Sequence, residues 1–215
     1  MGICKARGSD NNSYTKCTDS DISKLCSVKE ADKCNRNSLN NGKSGEFEPY
    51  DAFYAALFSA VASADYPAGC ANKILSGFLD VVEVIERRCN YLFKYKECFA
   101  FTAESHRLKK IILAYRGTAS PLQLVDEIVT TALFKVPAKG GGNVQAYFKN
   151  ANDRIYPCAK ASIKDLVKKY PHYRVVVTGH SLGGAIASVA SAQLSFDNVI
   201  DKDKTTLYTF GMPRA

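Results

Sequence analysis

One run of the sequence, from Arg174 to Ala187, constrains the fold more than any other stretch. It reads Arg-Val-Val-Val-Thr-Gly-His-Ser-Leu-Gly-Gly-Ala-Ile-Ala. The three valines predict a strand that is buried on both faces, and the small apolar residues after them predict one face of a helix. The turn between them is sharp, so it should strain the backbone of Ser181 and expose its hydroxyl. We therefore take Ser181 as a candidate nucleophile.

The turn has the pattern Gly-x-Ser-x-Gly. Gly179 and Gly183 lie two residues on either side of Ser181, and His180 fills the variable position. Side chains at the two glycines would collide where the strand and the helix approach, so both positions need glycine. An ordinary glycine-rich turn is the alternative, and the flanking strand and helix patterns argue against it.

A serine nucleophile needs a general base, and the sequence offers few. In architectures with this turn the chain order is serine, acid, histidine. The chain has three histidines, and none follows Ser181: they are His106, His172 and His180. His180 is too close in sequence to fold back onto the serine, and His106 reads as an exposed turn residue. Three acids that follow the serine lie in a Lys/Asp-rich stretch and read as solvated charges: Asp197, Asp201 and Asp203.

Composition predicts one domain behind a polar leader. The chain has 215 residues, 46% of them hydrophobic, which is enough for one core. Residues 1–45 are polar and residues 46–215 carry continuous apolar periodicity. The net charge of +8 comes from scattered lysines and arginines without a nucleic-acid motif, so we expect a solvated surface and no nucleic-acid partner. No apolar run approaches the length of a membrane span, so we predict no transmembrane segment.

The eight cysteines predict disulfides and an oxidising compartment, hence a secreted protein. Zinc is the alternative, but the sequence has no Cys-x-x-Cys, so we expect no metal site. Residues 1–7 lack the apolar core of a signal peptide, and we expect that such a segment was removed or lost. Half of the cysteines fall in the leader and half in the domain: Cys4, Cys17, Cys26 and Cys34, then Cys70, Cys89, Cys98 and Cys158. Cys89 and Cys98 flank a predicted strand and are placed to staple it.

Hydrophobic periodicity predicts alternating helices and strands along the domain. We expect helices over 46–64 and 144–170, the second kinked at Pro157, and strands over 81–85, 90–95, 97–103, 110–116 and 205–210. A further helix begins at Ser120, the N-cap, with Pro121 at its first position. Its apolar residues Leu122, Val125 and Val129 share one face. This helix is either part of the core or a lid.

Three motifs follow one another in the domain: Arg-Gly-Thr at 116–118, Gly-His-Ser-Leu-Gly-Gly at 179–184 and Tyr-Thr-Phe-Gly-Met-Pro-Arg at 208–214. Motifs in this order resemble those of the fungal-type, or class three, triacylglycerol lipases, and the cysteine-bearing version is similar to secreted nematode members. The resemblance covers residues 46–215. It implies an α/β-hydrolase fold, a mostly parallel sheet flanked by helices. It also implies hydrolysis of lipid carboxylic esters at a lipid–water interface, without a cofactor.

The resemblance also implies residue roles. Ser181 would be the nucleophile. Thr118 would supply its backbone amide and its hydroxyl to the oxyanion hole, and Leu182 its backbone amide, and these donors stabilise charge that develops on the carbonyl oxygen. Thr118 as a plain helix cap is the alternative. The segment beginning at Ser120 would be the lid, with the apolar face that contains Leu122, Val125 and Val129 turned toward the serine.

The sequence departs from the family at its end. The acid and histidine of the family follow the last motif, and this sequence ends one residue beyond Arg214. We therefore expect a fold that is incomplete at the C-terminus and a 215-residue chain with little activity of its own. The leading function is triacylglycerol hydrolysis. A phospholipase or feruloyl-type esterase would share every residue cited, and a catalytically dead lipase-fold protein that binds lipid is the alternative outside enzymes.

Overall fold

Residues 48–75, 77–88, 97–117 and 134–215 are described by the computed structural model. Within them the helices are α1 (Pro49–Ala62), α2 (Pro67–Ile74), α3 (Ala146–Lys169) and α4 (Leu182–Phe196), with a short 3-10 helix at Lys202–Lys204. The strands are β1 (Asp80–Arg88), β2 (Glu97–Ser105), β3 (Lys110–Tyr115), β4 (Lys135–Pro137), β5 (Asn143–Gln145), β6 (Arg174–His180) and β7 (Thr205–Phe210).

Five strands form one mixed sheet in the order β1-β2-β3-β6-β7. The first two pairings are antiparallel, and β3 pairs with β6, and β6 with β7, in parallel. The valine-rich strand β6 is thus internal, as its apolar run predicts. Parallel strands end at the same edge of a sheet, so the residues after β3, β6 and β7 meet there. That edge carries Ser181.

Helices cover both faces of the sheet, and alternation along the strands divides the core between them. On β3, Ile111, Leu113 and Tyr115 face the layer of α3 and α4. Ile112 and Ala114 face the opposite layer, which α1 and α2 cover. Every residue of β3 is buried, so this strand is the centre of the core.

Helix α3, predicted from the sequence over residues 144–170, begins later than its periodicity predicts. Val144 lies in β5, and the helix starts at Ala146. Residues 143–145 pair with β4 instead, and the Gln145 side chain accepts a hydrogen bond from the Phe148 amide at 3.2 Å, which caps the helix. Pairing with β4 and this cap therefore outweigh the apolar period. The helix continues through Pro157, and the kink there stays a prediction.

Several sequence expectations lie outside the described residues: the leader, the strand at 90–95, Cys89, Thr118 and the helix that begins at Ser120. Cys70, Cys98 and Cys158 are each disulfide-bonded. Because three is odd, at least one of their partners lies outside the described residues. Within those residues, no helix has the length and apolar character needed to cross a membrane, and no cluster of three or more His, Cys, Asp or Glu side chains has a metal-binding arrangement.

Candidate active site

Ser181 occupies the turn between β6 and α4 in a strained backbone conformation. Its φ is 53° and its ψ is −128°. A positive φ is uncommon for residues other than glycine, and this ψ lies far from the left-handed helical well. The Ser181 amide donates a hydrogen bond of 2.8 Å to the Phe210 carbonyl at the end of β7. The strain expected from the sequence is confirmed, and the neighbouring strand helps to hold it.

The close packing of strand, turn and helix explains both glycines of the motif. A Cβ on Gly179 would lie 2.4 Å from the Gly183 carbonyl carbon and oxygen, and a Cβ on Gly183 would lie 2.4 Å from the Tyr115 carbonyl oxygen. All these atoms belong to the backbone and cannot rotate away. The steric requirement expected from the sequence is therefore confirmed, and the structure adds that the barrier at Gly183 is the end of β3.

The segment that leaves β3 runs directly beside Ser181. A Cβ on Gly117 would lie 2.6 Å from the His180 carbonyl oxygen and 3.6 Å from Ser181 Cβ. Sequence reasoning named the Arg-Gly-Thr motif and gave Gly117 no role. Because glycine has no side chain, Gly117 permits this close backbone approach. The sequence alone does not identify which backbone segment it approaches.

Leu182 is the first residue of α4, and its side chain is buried. The first amides of a helix have no acceptor within the helix, and the helix dipole adds partial positive charge at that end. Ser181 immediately precedes these amides. The arrangement provides a preformed environment for negative charge close to the Ser181 hydroxyl.

None of the three histidines forms a hydrogen bond with Ser181 among the described contacts. His106, in the turn between β2 and β3, contacts Tyr173 Oη through Nδ1 at 2.9 Å and Glu104 Oε1 through Nε2 at 3.3 Å. His172 precedes β6. Both therefore lie at the opposite edge of the sheet, about 20 Å from Ser181 by strand length. His180 Nε2 would be 3.7 Å from a Cβ on Gly211, and among the described contacts it makes no hydrogen bond with Ser181.

Two buried hydroxyls join α1 to β6 just before the turn. Ser59 Oγ and Thr178 Oγ1 are 2.9 Å apart, and both contact the Ala55 carbonyl oxygen, at 3.0 and 3.2 Å. Both side chains are buried, and their mutual contacts satisfy them. Sequence reasoning missed this pair. In the sequence the pair is marked by a serine and a threonine at positions where the patterns of α1 and β6 predict apolar residues.

The Asp197 side chain is only 6% exposed and is paired, which corrects its reading as a solvated loop charge. Its carboxylate is 2.6 Å from both Lys139 Nζ and Lys160 Nζ and accepts a hydrogen bond of 2.8 Å from Tyr156 Oη. These donors hold the pKa of Asp197 well below its usual range. The carboxylate ties the loop after β4 to α3 and α4. Asp201 and Asp203 are exposed, as expected.

A cavity of about 120 Å³ lies along the C-terminal half of α4, away from the serine. Its lining includes Ala138, Val144, Val189, Ala192 and Ala215. Because Ser181 is not among its lining residues, the cavity is not part of the candidate site. The site is the surface at the sheet edge where β3, β6 and the start of α4 meet.

Comparison with known proteins shows which proteins this chain is similar to. The family described as Lipase (class 3) matches residues 112–215. A lipase of Caenorhabditis elegans is 28% identical over 183 residues, 81% of this chain and 51% of the relative. A secreted mono- and diacylglycerol lipase of Fusarium solani is 32% identical over 118 residues, 54% of this chain and 33% of the relative. The chain spans about half the length of the nematode relative and a third of the fungal one.

Solved lipase structures share the fold. The lipase of Rhizopus microsporus var. chinensis superposes with a TM-score of 0.60 at 20% identity, over 84% of this chain and 65% of that one. The Lip2 lipase of Yarrowia lipolytica gives 0.59 at 20% identity, over 83% and 59%. The sheet with helices on both faces is accordingly the α/β-hydrolase fold. Motif order, the family match over residues 112–215 and the shared fold agree: the chain is similar to class 3 lipases.

Proposed function

We propose that this protein is a serine hydrolase of lipid carboxylic esters, with Ser181 as its nucleophile. The observation that carries the proposal is the backbone of Ser181, which has φ 53° and ψ −128° directly before the first residue of α4. Holding a serine there costs on the order of 1–3 kcal/mol. A strained serine beside a helix N-terminus is the arrangement that acyl transfer uses.

In the proposed reaction, Ser181 Oγ attacks the ester carbonyl carbon and the carbonyl oxygen takes up the displaced electron pair. The backbone amide of Leu182 donates to that oxyanion, and Thr118 supplies the second donor. The second assignment rests on Gly117, which lies beside Ser181 and immediately precedes Thr118. Each donor of this kind contributes roughly 10²–10³ in kcat. The alcohol then leaves with a proton, and water releases the acid.

The reaction needs a general base that takes the Ser181 proton and later returns it to the leaving alcohol. His106 and His172 lie at the far edge of the sheet, and His180 lies beside Gly211. The proposal therefore requires a base from outside the described residues. An acid and a histidine that follow Arg214 in the protein's chain would have the order expected for this turn.

The relatives support a class of substrate and a location outside the cell. The Fusarium solani relative is named as a secreted mono- and diacylglycerol lipase, and one neighbour in fold is titled as a triacylglycerol lipase. We assign the protein acylglycerol esters at a lipid–water interface. We also place it outside the cell, in keeping with the three disulfide-bonded cysteines. The residues from Ser120 to Leu133 remain our proposed lid.

A second candidate function is lipid binding on a catalytically silent lipase scaffold. The observation that favours it is that none of the three histidines forms a hydrogen bond with Ser181 among the described contacts. A site without a base would keep the oxyanion environment and lose the chemistry. The two candidates differ in whether Ser181 turns over an ester.

The test uses protein expressed from its complete gene, with Ser181→Ala as the variant and Ser188→Ala as the matched control. Ser188 is on the same helix and donates to the Gly184 carbonyl at 3.0 Å. Hydrolysis of p-nitrophenyl butyrate and of a tributyrin emulsion should fall at least about 10³-fold in the first variant. It should be unchanged in the second. Equal activity of wild type and Ser181→Ala would exclude Ser181. An inactive wild type that binds vesicles and resists a fluorophosphonate probe would favour the silent scaffold.

A further inference from the structure

Arg116 links the end of β3 to the end of α1. Its Nε donates a hydrogen bond of 2.6 Å to the Ala62 carbonyl, and its Nη2 donates to the Ala64 carbonyl. Its guanidinium carbon lies 3.8 Å from the centroid of the Phe99 ring, and its own amide donates to the Phe99 carbonyl at 2.9 Å. One side chain thus contacts α1 and β2 while its backbone begins the segment beside Ser181.

These contacts suit arginine and no other residue. The last carbonyls of a helix lack partners within the helix, and a cation there interacts favourably with the helix dipole. The planar guanidinium can donate to two carbonyls while its face stacks on an aromatic ring. A lysine presents a point charge with no such plane, so it can satisfy only part of this arrangement.

A second contact fixes the opposite ends of the same two elements. Lys110, the first residue of β3, forms an ion pair with Asp51 in the first turn of α1. Lys110 is buried, with 8% of its surface exposed. Helix α1 therefore runs parallel to β3 and is joined to it at both ends. With the far end fixed, the Arg116 contacts determine where the chain leaves β3.

We propose that Arg116 is a positioning residue for the candidate active site. This proposal rests on the proposed function of Ser181. It holds the backbone of Gly117 against the turn, where a Cβ on Gly117 would be 3.6 Å from Ser181 Cβ. The next residue is Thr118, the proposed oxyanion donor. Arg116 touches neither substrate nor reacting atoms. It acts by fixing the start of the segment that carries the donor.

The experiment compares Arg116→Met and Arg116→Lys with Arg107→Met in protein expressed from its complete gene. Arg107 is a matched control because its guanidinium also lies over a phenylalanine, 4.1 Å from the Phe78 ring centroid, in the turn between β2 and β3 at the far edge of the sheet. The readouts are kcat and KM for p-nitrophenyl butyrate, the thermal melt, and amide hydrogen exchange of residues 62–64 and 117.

Misplacement of a catalytic group by 1 Å can cost about 10²-fold in rate, so kcat of Arg116→Met should fall by about 10²-fold with KM little changed. Arg116→Lys should recover part of that loss, and Arg107→Met should match wild type. A kcat for Arg116→Met within about twofold of wild type, or an equal loss in Arg107→Met, would overturn the proposal. If Arg116→Met does not fold, the Arg116→Lys variant tests the proposal. A lower kcat than wild type is expected, and a kcat equal to wild type would overturn the proposal.

Failure of the proposed function has a different signature. In that case wild type shows no hydrolysis that depends on Ser181, and hydrogen exchange alone tests Arg116. Faster exchange at residues 62–64 and 117 in the Arg116 variants, but not in Arg107→Met, would support the positioning role. Exchange that is unchanged, or that rises equally in Arg107→Met, would refute it.

Discussion

Replacing Gly183 by alanine should destabilise the protein, although the same change stabilises most helices. Gly183 lies in the first turn of α4, and helix propensity alone favours alanine over glycine by up to about 1 kcal/mol. The new Cβ would lie 2.4 Å from the Tyr115 carbonyl oxygen and 2.7 Å from the Arg116 carbonyl carbon. Ordinary contacts between such atoms are about 3.5–4.0 Å. The start of α4 must therefore move about 1 Å away from β3.

The steric cost exceeds the gain in propensity. Overpacking of a core costs typically 1–3 kcal/mol, and the upper end applies here because both obstructing atoms are backbone. After the gain of about 1 kcal/mol, we expect a net loss of about 2 kcal/mol in the free energy of unfolding. For a chain of this size that lowers Tm by about 4–8 °C. The same shift moves the Leu182 amide, so hydrolysis should fall more than stability alone would explain.

Urea denaturation and a thermal melt measure the change, with Gly184→Ala as the matched control. Gly184 is on the same helix and offers a similar gain in propensity, but its Cβ would meet its nearest atoms at 2.9 Å, one of them the Met212 side chain. The loss of stability in Gly184→Ala should be smaller than that in Gly183→Ala. The reasoning is wrong if Gly183→Ala is as stable as wild type, or if Gly184→Ala loses more.

Two further predictions concern parts of the molecule away from Ser181. The lysines beside Asp197 hold its pKa below the usual value, so its contribution to stability is present above the unfolded pKa of about 3.9 and is lost as pH falls below that value. Asp197→Asn should therefore lower Tm at pH 7, with a difference from wild type that shrinks in acid, whereas the exposed Asp203→Asn should change little; a pH-independent difference would contradict this. Native secreted protein should show few or no free thiols by mass spectrometry of a non-reduced digest, with Cys70, Cys98 and Cys158 all protected, and eight alkylatable thiols would refute an extracellular protein.

The turn around Ser181 could be predicted because its determinants are local. A strand of valines, two glycines around a serine and a helix of small residues all lie within one short run, and the steric demand at Gly179 involves its neighbours in sequence. The same applies to β3, where an unbroken apolar run predicts burial on both faces. The predicted start of α3 at Val144 was wrong because residues 143–145 pair with β4. Helical periodicity carries no information about such a contact.

What the sequence determined by itself is thus the identity of the candidate nucleophile, the alternation of strands and helices, and the resemblance of its motifs to those of class 3 lipases. Tertiary structure alone decided that Gly117 lies beside Ser181, that Arg116 caps α1, and that the Asp197 carboxylate pairs with two lysines. The physical reason is the order of strands in the sheet. Parallel pairing of β3 with β6 brings together chain segments that are far apart in sequence, and contacts of that kind depend on the packing of the whole core.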